Sequence, residues 1–103
     1  MLTPAMRPNP KLTNALKGRT IADFETEGGM MTVRFKDGAT LRIKGTAQGS
    51  MAVAQGGRVT QAFEQGDRLA LHFDNQTNAV LTLENPGNAV SVRDGENQVL
   101  YLG

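Results

Sequence analysis

Three carboxylates, Asp23, Glu25 and Glu27, stand at alternate positions early in the chain. In an extended strand that spacing puts all three on one face. There they could hold a hard cation or do acid–base work, or simply wet the sheet. Arg34, Lys36, Arg42 and Lys44 follow with the same alternation, and Arg19 is near. Such a strip could hold phosphate or serve solubility and edge protection. No aromatic residue shares it, so base stacking is not supported.

His72 is the single histidine and there is no cysteine, so a closed zinc site has too few ligands. Ser50 and Ser91 lack partners at a nucleophilic-triad spacing. Lys44-Gly45-Thr46 reverses the order of a phosphate-loop signature. The expectation is a protein that is not an enzyme, with no catalytic residue, no cofactor and no metal site.

The elements that position these residues are read from period-two alternation. Met31, Val33, Phe35, Ala39, Leu41 and Ile43 are apolar, whereas Thr32, Arg34, Lys36, Thr40 and Arg42 are polar. One face is therefore buried and one wet. Residues paired across a hairpin share a face. A three-residue Lys36-Asp37-Gly38 loop satisfies this, pairing Phe35 with Ala39 and Val33 with Leu41. A two-residue Gly28-Gly29 loop pairs Phe24 with Val33, Ala22 with Phe35, Asp23 with Arg34 and Glu25 with Thr32.

The pattern recurs. Residues 18–44 align with residues 57–84, Gly18-Arg19 on Gly57-Arg58 and Phe35 on Phe73, allowing a deletion near Glu27 and an insertion in the last turn. In the second unit an odd loop over 64–68 would pair Phe63 with Leu69 and Val59 with Phe73. A five-residue Asp74–Asn78 loop would pair Phe73 with Ala79 and Leu71 with Leu81. A turn at 85–88 would then pair Leu83 with Val90 and Leu81 with Val92. Val99–Leu102 is apolar on both faces, which suggests cover on both sides or an interface. Residues 45–57 are glycine-rich and join the two units, with a short strand expected over 51–55. Asn9, Pro10 and Gly18 bracket a short helix with Leu12, Ala15 and Leu16 on one face. Residues 1–9, rich in proline, read as a disordered arm ahead of a single domain over 10–103.

The fold class expected is all-β: seven to nine short antiparallel strands in two three-stranded meanders plus C-terminal strands, closed as a barrel or packed as a sandwich, with one N-terminal helix. The expected core is Phe24, Val33, Phe35, Leu41, Ile43, Val59, Phe63, Leu69, Leu71, Phe73, Leu81, Leu83, Val90 and Val92.

With 103 residues the chain suits one domain, and its net charge of +1 gives no general preference for polyanions. The charge is uneven: residues 1–58 carry nine Lys/Arg against four acids, and residues 59–103 two against six. That asymmetry suits an acidic partner or head-to-tail self-association. No apolar run is long enough to span a membrane, there is no signal-peptide stretch, and the lack of cysteine suits a reducing compartment. A cytoplasmic protein is expected.

The run Phe73-Asp74-Asn75-Gln76-Thr77-Asn78-Ala79-Val80-Leu81 resembles the first signature of Sm-like RNA-binding proteins. The run Val92-Arg93-Asp94-Gly95-Glu96-Asn97-Gln98-Val99 is similar to the second. The resemblance implies a ring-forming small β-barrel in which Asp74, Asn78, Arg93, Gly95 and Asn97 line the RNA-binding loops.

These features together suggest a non-enzymatic binding or assembly module that forms a homo-oligomer, with Arg34, Lys36, Arg42 and Lys44 as a candidate binding strip. RNA is the partner under the Sm-like reading. A small hydrolase or carbohydrate-acting enzyme using Asp23, Glu25 or His72 is the remaining expectation.

Overall fold

The computed structural model describes residues 7–48, 56–85 and 87–103. Nine strands and one helix follow in the order β1 (Arg7–Pro8), α1 (Pro10–Leu16), β2 (Ile21–Glu27), β3 (Met30–Phe35), β4 (Thr40–Gln48), β5 (Val59–Gln65), β6 (Arg68–Phe73), β7 (Asn78–Leu83), β8 (Val90–Arg93) and β9 (Val99–Leu102). The fold is all-β with this single short helix. Of the expected N-terminal arm, residues 1–6 lie outside the described residues, while Arg7–Pro8 pair with β5. The strand expected over 51–55 also lies outside them.

All pairings are antiparallel, and the sheet curls into a half-barrel in the order β1-β5-β6-β7-β4-β3-β2, with β8 beside β4 and β9 beside β8. β4 links the two layers. Its residues Thr40–Ile43 lie between β3 and β8, and Gly45–Gln48 then pair with β7. Glycine is needed at the handover because a Cβ on Gly45 would stand 2.0 Å from the Thr82 carbonyl oxygen. A bridge between Thr20 and Arg58 draws the β2 and β5 ends of the curl together.

The alternation along β3 and β4 is realised in full. Met31, Val33, Phe35, Ala39, Leu41 and Ile43 are buried, and Val33 pairs with Leu41 as the three-residue turn requires. Gly38 takes φ +90 and donates its N–H to the Phe35 carbonyl. The open side of the curl is closed by α1, whose Leu12 and Leu16 are fully buried and which lies against β5 and β9. Burying each such side chain contributes about 1.5–3 kcal/mol. Asn9 caps the helix, its Oδ1 accepting the Leu12 N–H at 3.0 Å, and Pro10 follows at the first helical position.

β2–β3–β4 and β5–β6–β7 share one register at a constant offset of 38 residues. Ile21–Phe35 matches Val59–Phe73, Asp23–Arg34 matches Gln61–His72, and Val33–Leu41 matches Leu71–Ala79. The bulge after Ile21 recurs after Val59. This offset has no insertion or deletion, so the alignment of Gly18 on Gly57 is one residue out: Gly18 corresponds to Gly56, and both have φ +84.

Several expected pairings are corrected by that register. The β2 bulge pairs Phe35 with Ile21 rather than Ala22. The β5–β6 loop has two residues, Gly66-Asp67, so Phe63 faces Ala70 and not Leu69. Ala62 therefore enters the core, and Phe63 turns outward against the His72 ring, with centroids 4.7 Å apart. The β6–β7 turn spans only Asp74–Gln76, which pairs Leu71 with Ala79 and Leu69 with Leu81. β8 does not pair with β7, because β7's free side is taken by the end of β4; Val90 and Val92 pair instead with Ile43 and Leu41. Phe24 packs against the core but is only partly buried.

Candidate functional site

The outer face of the β2–β3–β4–β8–β9 layer gathers most of the chemistry seen in the sequence. One row crosses it as Glu25, Thr32, Arg42, Ser91 and Leu102; the next as Asp23, Arg34, Thr40, Arg93 and Val99. The face therefore grades from acidic at the β2 edge, through basic in the middle, to apolar at the β9 edge.

The acidic edge is internally compensated. The Arg34 guanidinium donates to Asp23 at 2.7 Å and lies 3.1 Å from Glu25. The hydrogen bond to Asp23, then that to Glu25, raises the Arg34 pKa and keeps it charged. All three side chains are about half exposed, so the network adds little to stability. Among the described residues no group of three His, Asp or Glu converges as a metal site.

The four cations of the expected strip divide. Arg34 is neutralised as above. Lys36 lies in the β3–β4 turn, its N–H bonded to the Thr20 carbonyl. Arg42 and Lys44 point outward from β4 and have no carboxylate within ion-pair distance among the described residues. Arg93, from β8, joins them along a shallow groove of about 360 Å³ that Ser91, Asn88, Met30 and Leu102 also line. Arg19 lies elsewhere, paired with Asp37 and donating from Nε to the Ala15 carbonyl at 2.8 Å.

The loop after β8 is built on Asp94. Its Oδ1 accepts the N–H groups of Glu96 and Gln98, both at 2.9 Å, and Arg93 reaches the Asn97 carbonyl at 3.3 Å. Asn97 takes φ +66. Gly95 packs on the Lys36–Gly38 turn so closely that a Cβ on it would lie 3.2 Å from the Asp37 carbonyl oxygen. Gly95 thus sits beside the first unit's turn, with Arg93 opposite Thr40 and Asn97 held within its own loop. Asp74 is in the matching turn of the second unit, where its Oδ1 accepts the Arg58 N–H at 3.1 Å, and Asn78 opens β7 opposite His72.

The β9 edge was legible only as a strand apolar on both faces. Tyr101 packs inward, and its hydroxyl accepts from Asn9 Nδ2 at 3.0 Å. Val99, Leu100 and Leu102 are left 46%, 39% and 68% exposed, the large apolar side chains most open to water among the described residues. Among the described residues β9 pairs with β8 alone. Val90 and Gly103 exchange both backbone bonds at 2.9 Å. By antiparallel alternation, the Leu102 N–H and C=O therefore point away from β8.

No described helix is long and apolar enough to cross a membrane, which says nothing of strands. No protein-family model, curated protein or solved structure matches the chain.

Proposed function

We propose that the protein is a non-enzymatic assembly module that self-associates by pairing β9 with β9 of a second copy. The observation that carries this is the exposed Val99, Leu100 and Leu102 on an edge strand. Natural sheets guard such edges with charge or proline, and Val99–Leu102 carries neither. Burying Leu102 alone in an interface would contribute about 1.5 kcal/mol or more.

Charge selects β9 over the opposite edge. An antiparallel pair around a twofold axis puts the same strand on both sides. At β9 that sets Val-Leu-Tyr-Leu against itself without a charge. At β2 it would set Asp23, Glu25 and Glu27 against their own copies, which is repulsive. The matched registers of β2–β3–β4 and β5–β6–β7 also support the reading of the scaffold as two copies of one three-stranded unit.

Sedimentation velocity over a range of concentrations tests self-association. The wild-type chain should show a concentration-dependent dimer that Leu102→Glu abolishes while retaining the β-rich circular dichroism spectrum. A wild-type monomer at every concentration and salt level would refute the proposal.

A further inference from the structure

Arg42, Lys44 and Arg93 present a problem that the fold itself does not solve. Arg42 and Lys44 are two residues apart on one strand face, hence about 7 Å apart. Arg93 stands opposite Thr40, diagonal to Arg42. Like charges on neighbouring sheet positions repel. Edge protection does not account for them, because β4 lies between β3 and β8, and β8 between β4 and β9: both are interior strands. Among the described residues they also lack compensation: Arg19 and Arg34 each hold a carboxylate, whereas Arg42 and Lys44 hold none, and Arg93 reaches the Asn97 carbonyl. Glu84 donates its N–H to the Lys44 carbonyl, and its carboxylate lies near Gly29 without forming an ion pair with Lys44.

We infer that the groove between β4 and β8 is an anion site that takes a phosphate group. A guanidinium presents paired N–H donors that match phosphate oxygens, and an ammonium adds a compact charge. Arg42 and Arg93 supply the forks and Lys44 the point charge. The Ser91 hydroxyl, in the same row as Arg42, and the Asn88 amide give further donors along the groove. Met30, beside Lys44 on β3, and Leu102, beside Ser91 on β9, add apolar walls, suited to a phosphate ester carrying an apolar substituent. A free phosphate and a phosphate ester share the chemistry of the charged centre and differ only at those walls.

The test is a titration of the isotopically labelled full chain with inorganic phosphate at low ionic strength, followed by amide chemical shifts. Saturable shifts should centre on Arg42, Lys44, Ser91 and Arg93. The double variant Arg42→Gln/Arg93→Gln should bind about tenfold or more weakly, since each lost charge-assisted bond is of the size that gives about a tenfold change. The control Arg34→Gln/Lys36→Gln should bind as the wild type does. Phenyl phosphate binding more tightly than phosphate would assign an ester held against Leu102, and equal affinity would assign free phosphate. The inference is overturned if chloride at matched ionic strength gives the same shifts, if shifts spread evenly over all exposed cations, or if the Arg42/Arg93 variant binds undiminished. Because these shifts are read on β4 and β8, and self-association is read at β9, the two readings fail separately.

Discussion

Thr20 faces Arg58 across an isolated antiparallel bridge, and the two residues hold the same position in their respective halves. The bonds around them are related by exchange of the halves. Gly18 N–H donates to the Val59 carbonyl at 2.9 Å and Gly56 N–H to the Ile21 carbonyl at 3.0 Å; Ile21 N–H meets Gly57 and Val59 N–H meets Arg19 in the same way. A second self-matched pair, Gly45 with Leu83, lies where β4 meets β7. Two seams of this kind let six strands curl around one core, and each seam depends on a short list of residues.

Gly45→Val should be strongly destabilising. Its Cβ would meet the Thr82 carbonyl at 2.0 Å, and that backbone cannot retreat without breaking the Gly45–Leu83 seam. A loss of about 3 kcal/mol or more is expected in urea unfolding. A variant within 1 kcal/mol of wild type would show that the seam is not close-packed.

Asn9 links three elements. It caps α1 through Leu12, donates its N–H to the Ala62 carbonyl and holds the Tyr101 hydroxyl. Asn9→Ala should cost about 1–2 kcal/mol, the cap and the side-chain bond each contributing about 1. Tyr101→Phe should cost less, and a double-mutant cycle between the two should show coupling of about 0.5 kcal/mol or more. Additive effects would mean that the Asn9–Tyr101 bond contributes nothing.

The matched turns respond in opposite directions. Gln76 occupies the position of Gly38 and takes φ +65, which a β-carbon disfavours by about 1–2 kcal/mol. Gln76→Gly should stabilise by about 0.5 kcal/mol after the extra freedom of glycine in the unfolded chain is deducted. Gly38→Ala should destabilise by about 1–3 kcal/mol, because it adds both strain at φ +90 and a 3.3 Å approach to Gly95 Cα. Thermal melts of the two variants, moving apart from wild type, check both.

The β3–β4 hairpin was readable because Val33, Phe35, Leu41 and Ile43 alternate without interruption and Lys36-Asp37-Gly38 admits one turn type, whereas the bulge after Ile21 displaced the expected Ala22–Phe35 pair. The second meander departs from expectation for two reasons, a bulge in β5 and a β6–β7 turn of three residues instead of five. The single-residue bulge after Val59 changes parity, so Val59–Phe73 pairs as expected while Phe63 leaves the core for Ala62. A bulge leaves no mark in an alternation that already contains Ala62 beside Phe63. The crossing of β8 onto β4 was hidden for a different reason. Val90 and Val92 suit a partner strand equally well on Leu83 or on Ile43. Which is free depends on where β4 ends its run along β3, and that is a long-range property. The site was legible as residue types: Arg34 with Asp23, and Arg42 with Lys44, stand out by spacing. That Arg93 joins the latter pair follows only from the crossing, and the exposure of β9 only from the end of the sheet.

The Leu102 amide gives the most direct reading of the proposed assembly, because its N–H points away from β8 and gains a partner only when a second β9 docks. Hydrogen exchange at that amide, measured across protein concentration beside its neighbours Tyr101 and Gly103, should show protection rising with concentration at Leu102 while Gly103, already bonded to Val90, stays protected throughout. Fast exchange at Leu102 at every concentration, with Gly103 protected, would contradict self-association through β9.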